Sequence, residues 1–587
     1  MRRFWAGATA VTLGVSVVLV GTTTSSAAPD DGSQEFSVAY ADGVSAAAAR
    51  AAVEAAGGSI VSENPDVGVA TVVADDAGFA DRANASPALI GAARTRVVAA
   101  NTPDAARTGR DTERHDLEKS WRDGARGEPP HRRPGHGTPG HGMPGAITPE
   151  PLAALQWDMQ RIGATTTGSY AVEQGKGVRV GILDTGVDGT HPDIAPNFDS
   201  RLSRNFTTDI PFDANGEVVD GACEDEPDQS CADAADVDEN GHGTHVASTI
   251  ASPLDGFGLA GVAPKATIVN LRAGQDSGYF FLQPSVDAIT YAARTGIDVV
   301  NMSYYVDPWL FNCAGHPADS PADQAEQQVV ITAMQRAIDF AHRRGVTLVS
   351  SAGNGAMDYT KPLTDASSPD FADVPGEVAY VRDLLDPEAC ISMPSEAEHV
   401  IAVSSTGISD RKAYYSDYGN GYIDVAAPGG DVYDNAAGTR DYAGAILAAY
   451  PAELAIAEGA IDPETGEVVV PWAVAETRNG VTAYYQYLQG TSMASPHAAG
   501  VAALIVGKYG HRDWRRGGLT ASPDLVERVL LRTAEDTACP TPADFTYTRT
   551  LPSGETVTDT HTCEGTAASN GFYGAGIVSA ARAVSRR

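Results

Sequence analysis

The stretch Gly490-Thr491-Ser492-Met493-Ala494-Ser495-Pro496-His497 puts a serine at the mouth of a segment that turns helical. From 493 to 508 the residues are mostly Ala, Val, Leu, Ile and Gly, the composition of a buried helix. Pro496 then falls near its first turn, where a missing backbone N–H costs least. A serine at such a start stands at the positive end of the helix dipole, beside unpaired N–H groups. That suits a nucleophile whose reaction generates an oxyanion. A hydroxyl is a weak nucleophile at neutral pH, so it needs a base, and the base needs a group that orients it.

Two upstream stretches supply them. Val178-Arg179-Val180-Gly181-Ile182-Leu183-Asp184-Thr185-Gly186 reads as a buried strand that ends in an aspartate and a glycine turn. Asn240-Gly241-His242-Gly243-Thr244-His245 reads as a glycine turn opening a helix, with His242 at its start. The order Asp184, His242, Ser492, with the intact signatures Asp-Thr-Gly, His-Gly-Thr-His and Gly-Thr-Ser-Met-Ala-Ser-Pro, resembles the subtilisin-like serine peptidases.

The resemblance implies a division of labour. Ser492 attacks a peptide carbonyl, His242 takes the hydroxyl proton and returns it to the leaving amine, and Asp184 orients His242. Asn354, in Ser350-Ser351-Ala352-Gly353-Asn354-Gly355, matches the family's oxyanion asparagine, although the same residues also spell a turn. His245 has no evident third metal ligand near it and is packed structurally in the family. Asn301-Met302-Ser303 matches the strand that pairs with extended substrate, which makes Ser303, Tyr304, Tyr305 and Gly353 the substrate-binding candidates. Here the chain departs from the family. Leucine and glycines usually follow Ser303, whereas this chain continues Tyr304-Tyr305-Val306-Asp307-Pro308-Trp309, an aromatic rim expected to reshape the cleft. Insertions near 357–389 and 431–487 fall beside the oxyanion loop and before the nucleophile. No cofactor is required for the chemistry. Structural calcium is implied by the family, with Asp255 in Leu254-Asp255-Gly256 as its side-chain ligand.

The positioning elements follow from hydrophobic runs. Strands are expected at 178–183, 267–271, 299–302, 347–350, 400–403 and 424–427, alternating with helices. That pattern gives an α/β fold with a parallel β-sheet sandwiched by helices, the site lying beyond the strand C-termini. Residues 29–100 look like a separate small α+β unit: a strand at 35–40, an alanine-rich helix at 44–56 stopped by Gly57-Gly58, a strand at 67–73 and a helix at 78–85. In position and pattern this unit resembles the family's inhibitory propeptide. Residues 101–150 crowd Arg, His, Pro and Gly together and form an exposed linker where maturation cleavage is expected. The peptidase domain spans 151–587, and its Gly571–Val578 stretch resembles the family's closing segment, with no extra domain expected after it.

Composition bounds the setting. Arg2 and Arg3 precede an apolar run from 4 to 20, and Ser26-Ala27-Ala28 fits a small-residue cleavage rule, so residues 1–28 read as a secretion signal. No later stretch is apolar enough to span a bilayer, so no stable membrane anchor is expected. A formal charge of −35 argues against nucleic acid or an anionic membrane as partner. The 6 cysteines fit export. Fifteen pairings are formally open. Cys223 with Cys231 would close a small acidic loop and Cys539 with Cys563 a loop near the C-terminus, leaving Cys313 and Cys390. The expectation is a secreted serine endopeptidase made as an inactive precursor, acting on proteins or peptides and held by its own propeptide. The alternatives are a binding module that keeps the fold, or the same machinery used on esters or one dedicated peptide.

Overall fold

The computed structural model describes residues 34–74, 78–96, 148–225 and 229–585. The expected signal segment and nearly all of the 101–150 linker lie outside them.

The N-terminal unit is a four-stranded antiparallel sheet built from β1 (Gln34–Tyr40), β2 (Ser59–Asn64), β3 (Val69–Ala74) and β4 (Leu89–Arg96), in the order β2-β3-β1-β4. Helices α1 (Ala46–Ala55) and α2 (Phe79–Asn84) cover one face over Phe36, Val53 and Phe79. Ser45 caps α1 through its hydroxyl. The expected strands and helices are present. β2 and β4 were not legible because neither alternates cleanly between apolar and polar.

The larger unit is organised by seven strands: β5 (Arg179–Leu183), β6 (Arg204–Asn205), β7 (Thr267–Arg272), β8 (Val299–Met302), β9 (Thr347–Ser351), β10 (Val400–Thr406) and β11 (Val425–Pro428). They lie in the order β11-β10-β9-β8-β5-β7-β6, every neighbouring pair parallel. Burial on both faces explains why these strands read as continuous apolar runs. The short helix α3 (Trp157–Ile162) precedes the sheet. Helices α4 (His242–Ala251) and α7 (Thr491–Tyr509) share one core with Val180, Ile182 and Val349. Helices α5 (Leu282–Thr295) and α6 (Pro321–Arg343) share another with Leu183, Val269 and Leu348. The N-terminal sheet docks on that second pair: Ala39, Val67, Val69 and Ala93 belong to the same core as α5 and α6.

The three disulfides are Cys223–Cys231, Cys313–Cys390 and Cys539–Cys563. The 357–389 insertion carries a short hairpin, Leu363–Asp365 with Arg382–Leu385, pinned by the fully buried Arg382 to Asp365 and to the Phe311 carbonyl at 2.9 Å. Trp309 corrects one expectation. It is buried against the Arg382 guanidinium, 5.0 Å from ring centre to Cζ, and belongs to the insertion's core, not to the cleft rim. The 431–487 insertion runs just before the nucleophile in the chain, as expected. It forms an antiparallel sheet of Ile446–Tyr450, Val481–Leu488 and Ala473–Arg478 that braces α4 from behind, where His245 Nε2 meets the Ile446 carbonyl at 3.0 Å. Burial drives the His245 pKa down to about 3, so the ring is a neutral structural group.

Candidate active site

Asp184 leaves the C-terminal end of β5 and is fully buried. Its Oδ1 lies 2.6 Å from His242 Nδ1 and also accepts the Thr185 N–H at 2.8 Å. Burial raises the Asp184 pKa, while His242 beside it pulls the other way. A charge on His242 would therefore be matched by a carboxylate that has no water to compensate it.

His242 is the first residue of α4, and Asp238 builds that helix start. One Asp238 oxygen accepts from Asn240 N at 3.2 Å and Gly241 N at 2.8 Å; the other accepts from Thr244 N at 2.9 Å. Thr185 Oγ1 donates to Asp238 at 3.2 Å and accepts from Gly243 N at 3.2 Å, locking the Asp184 turn to the His242 helix. Gly243 is required by contact: a Cβ there would stand 2.0 Å from the Gly186 carbonyl. The Asp238 role was missed by sequence reasoning, although an acidic residue a few positions before a helix start is the ordinary capping signal.

Ser492 is the second residue of α7, and its Oγ donates to the Ser303 carbonyl at 3.3 Å. The helix begins at Thr491, earlier than expected, so Pro496 lies inside it and not in its first turn. Asn354 follows β9. Thr491 presents both its N–H and its Oγ1–H to Asn354 Oδ1, each at 2.9 Å. A backbone N–H can only donate, so that atom is the carbonyl oxygen and the amide Nδ2 is turned the other way.

Ser492, His242, Asn354, Ser303, Tyr304, Tyr305 and Gly353 all line one cavity of about 450 Å³. The Tyr304 ring stacks on Phe280, centroids 4.1 Å apart, and Tyr305 donates its hydroxyl to Asp370 at 2.6 Å. Residues 364–367 of the first insertion line the same cavity, as expected from its place in the chain. Asp417, which the sequence did not flag, is also in the wall. It accepts from Met357 N at 2.7 Å and from the Tyr359 hydroxyl at 3.2 Å, and burial pushes its pKa up to about 7. A further pair missed by sequence reasoning, Asp158 and His497, is fully buried at 2.9 Å and ties α3 to α7 behind the nucleophile.

The arrangement can activate a hydroxyl, hold the resulting imidazolium and offer donors to an oxyanion. Comparison with known proteins bears on the same chemistry. The Subtilase family model matches residues 175–576. The thermophilic serine proteinase of Bacillus sp. (strain AK1) is 28% identical over 330 residues, which are 56% of this chain and 52% of that protein. Subtilisin DY of Bacillus licheniformis is 26% identical over 336 residues, 57% of this chain and 79% of that one. The chain thus spans about half the length of the first relative and most of the second. Among solved structures, the epidermin leader peptide processing serine protease of Staphylococcus aureus superposes with a TM-score of 0.57 at 20% identity, covering 94% of this chain and 98% of that one.

Proposed function

The chain belongs to the subtilase family of serine peptidases, and on that premise we propose that it is a secreted endopeptidase, made as an inactive precursor, that cuts peptide bonds with Ser492. The observation that carries this reading is the 2.6 Å contact of His242 Nδ1 with Asp184, in a cavity that Ser492 and Asn354 share. Asp184 keeps His242 Nδ1 protonated, which leaves Nε2 as the base. His242 takes the Ser492 proton as Oγ adds to the substrate carbonyl. The Ser492 N–H and Asn354 Nδ2 receive the oxyanion. The imidazolium then passes its proton to the leaving amine, and water repeats the sequence on the acyl-enzyme.

Substrate lies extended along Ser303 to Tyr305. The N-terminal unit acts as the propeptide. Its grip on the enzyme is polar as well as apolar: Arg94 bonds Glu326 at 3.1 Å, Asn64 bonds Asp287 at 2.8 Å, and Arg336 donates to the Tyr40 carbonyl at 2.8 Å. The secretion signal and the linker cleavage complete the precursor reading, and among the described residues no helix is long and apolar enough to cross a membrane.

Structural calcium fits the residues present, at Glu150 and Asp193 more than at the exposed Asp255. Both are buried, and Glu150 Oε2 and Asp193 Oδ1 have no hydrogen-bond partner. Both bond the 255–259 loop, through Gly256 N at 3.0 Å and Leu259 N at 2.8 Å. Burial raises each to about 7, so a divalent cation would relieve a cost the fold now carries.

Ser492→Ala should abolish peptide hydrolysis and block removal of the N-terminal unit. Full activity in that variant would overturn the mechanism.

A further inference from the structure

The wall beside His242 carries an excess of negative charge. Asp209, Asp233 and Asp276 all pair with one buried guanidinium, Arg272, at the end of β7. Asp220 adds its charge to the group: it bonds Ile210 N and Ser277 N and raises the pKa of Asp276 electrostatically. Arg272 is thus the shared counter-ion of several carboxylates, and removing charge from water without a full partner is costly. Asp209, Asp233 and Asp276 have metal-ligand spacing, but Arg272 touches each of them and already fills that role.

This excess reaches the cleft through one residue. Asp276 lines the cavity together with Ser277 and Gly278. Its main-chain carbonyl accepts from Asn240 Nδ2 at 2.6 Å, and Asn240 Oδ1 accepts from His242 N at 3.1 Å, so Asp276 is anchored one residue away from the base. The side chain is 10% exposed; Oδ1 meets Arg272 at 3.1 Å, and Oδ2, itself buried, has no hydrogen-bond partner. Of the other acidic residues of the wall, Asp365 is paired with Arg382, Asp417 accepts from Met357 and Tyr359 beside the buried Lys412, and Asp307 accepts from the Phe280 N–H. Among the described residues, no lysine or arginine lines the cavity. The Tyr304–Phe280 stack joins the 276–280 wall to the Ser303–Tyr305 wall, so a chain extended along Ser303–Tyr305 passes Asp276.

We infer that Asp276 is a specificity-determining residue that selects a lysine or arginine side chain just N-terminal to the scissile bond. This rests on the endopeptidase reading above and narrows it to basic segments of peptide. Burial holds the Asp276 carboxyl up at about 8, and the arriving cation supplies the counter-charge that lets it ionise. The preference is electrostatic in origin, so it weakens with salt.

The test uses the mature enzyme and matched fluorogenic peptides that differ only by Arg, Lys, Gln or Glu at each of the first few positions before the cleaved bond. At one position kcat/KM should favour Arg or Lys over Gln by about tenfold or more, with Glu poorer than Gln. Raising the salt concentration should shrink the gap. Asp276→Asn should cut the Arg-to-Gln ratio by about tenfold, and Asp276→Glu should retain most of it. The readout is a ratio, so any loss common to both peptides cancels. Equal rates for Arg and Gln peptides at every position, or an unchanged ratio in Asp276→Asn, would overturn the inference. Fluorophosphonate labelling of Ser492 separates the two levels: labelled enzyme that cuts Gln and Arg peptides alike sinks only the specificity, whereas unlabelled, inactive wild-type enzyme sinks the peptidase reading. If Asp276→Asn fails to label, the wild-type profile and its salt dependence decide.

Discussion

The Ser303 hydroxyl donates to the main-chain carbonyl of Ser492 at 3.1 Å. Pro496, four residues further along α7, has no N–H with which to complete the helical bond to that carbonyl. A residue at the end of β8 therefore replaces a missing helix hydrogen bond at the nucleophile. Ser492 Oγ returns a bond to the Ser303 carbonyl at 3.3 Å, so the nucleophile and the wall that binds substrate hold each other in register.

Removing that hydroxyl should be felt in turnover. Ser303→Ala is expected to lower kcat by roughly fivefold to tenfold, the worth of one hydrogen bond of about 1 kcal/mol. Steady-state kinetics on a single peptide checks this, and wild-type kcat would show that the contact is idle.

Thr491 and Asn354 should form a graded pair. In the subtilisins the oxyanion asparagine is worth roughly 10²–10³ in kcat, and Asn354→Leu should fall in that range with KM little changed. Thr491→Val keeps the backbone N–H on Asn354 Oδ1 and loses only the hydroxyl, so its loss should be roughly tenfold or less. A Thr491→Val loss as large as that of Asn354→Leu would mean the hydroxyl, not the amide, does the work.

Calcium held by Glu150 and Asp193, as proposed, would stabilise the fold in a pH-dependent way. Each is raised to about 7 by burial, so the fold binds their protons more tightly than the unfolded chain does. Their contribution to stability therefore falls as pH rises from about 4 to about 7, and without a cation the cost is fully present above that window. Chelation with EGTA should lower Tm by several degrees at pH 8 and by clearly less at pH 5. Thermal melts at both pH values with and without EGTA decide it, and equal shifts would remove calcium from this site.

Arg94 should hold the N-terminal unit in place. Its guanidinium meets Glu326 in both oxygens and lies 3.4 Å from Glu377, and Asp323 and Asp373 add further negative charge. Arg94→Ala leaves Glu326 buried without its partner, a situation that typically costs about 3 kcal/mol or more. In Ser492→Ala chains nicked in the linker, the N-terminal fragment should co-elute with the enzyme on gel filtration and separate when Arg94→Ala is added. Co-elution of both would make the contact dispensable.

The parts legible in the sequence were those governed by short-range rules. Buried strands such as 299–302 and 347–350 announce themselves as apolar runs, and Asp184 and His242 stand beside Gly186 and Gly243, where an added Cβ would collide with backbone. Trp309 was misread because an aromatic residue near a cleft looks the same in sequence whether it faces substrate or an arginine such as Arg382. The spatial place of the 431–487 insertion was not legible for a similar reason: adjacency to Ser492 in the chain carries no direction in space, and the strands turn it behind α4. Asp276 and Asp238 lie in loops that carry no motif, and only the fold brings one to the cavity wall and the other under the His242 helix.

The central claim is that Ser492 is a nucleophile activated by the Asp184–His242 pair. Mass spectrometry of the mature enzyme treated with a fluorophosphonate should find a single adduct on the peptide that contains Ser492, and should find none at that position in His242→Ala. Adduct formation at the same rate in His242→Ala, or undiminished peptide hydrolysis by enzyme fully modified at Ser492, would contradict the account.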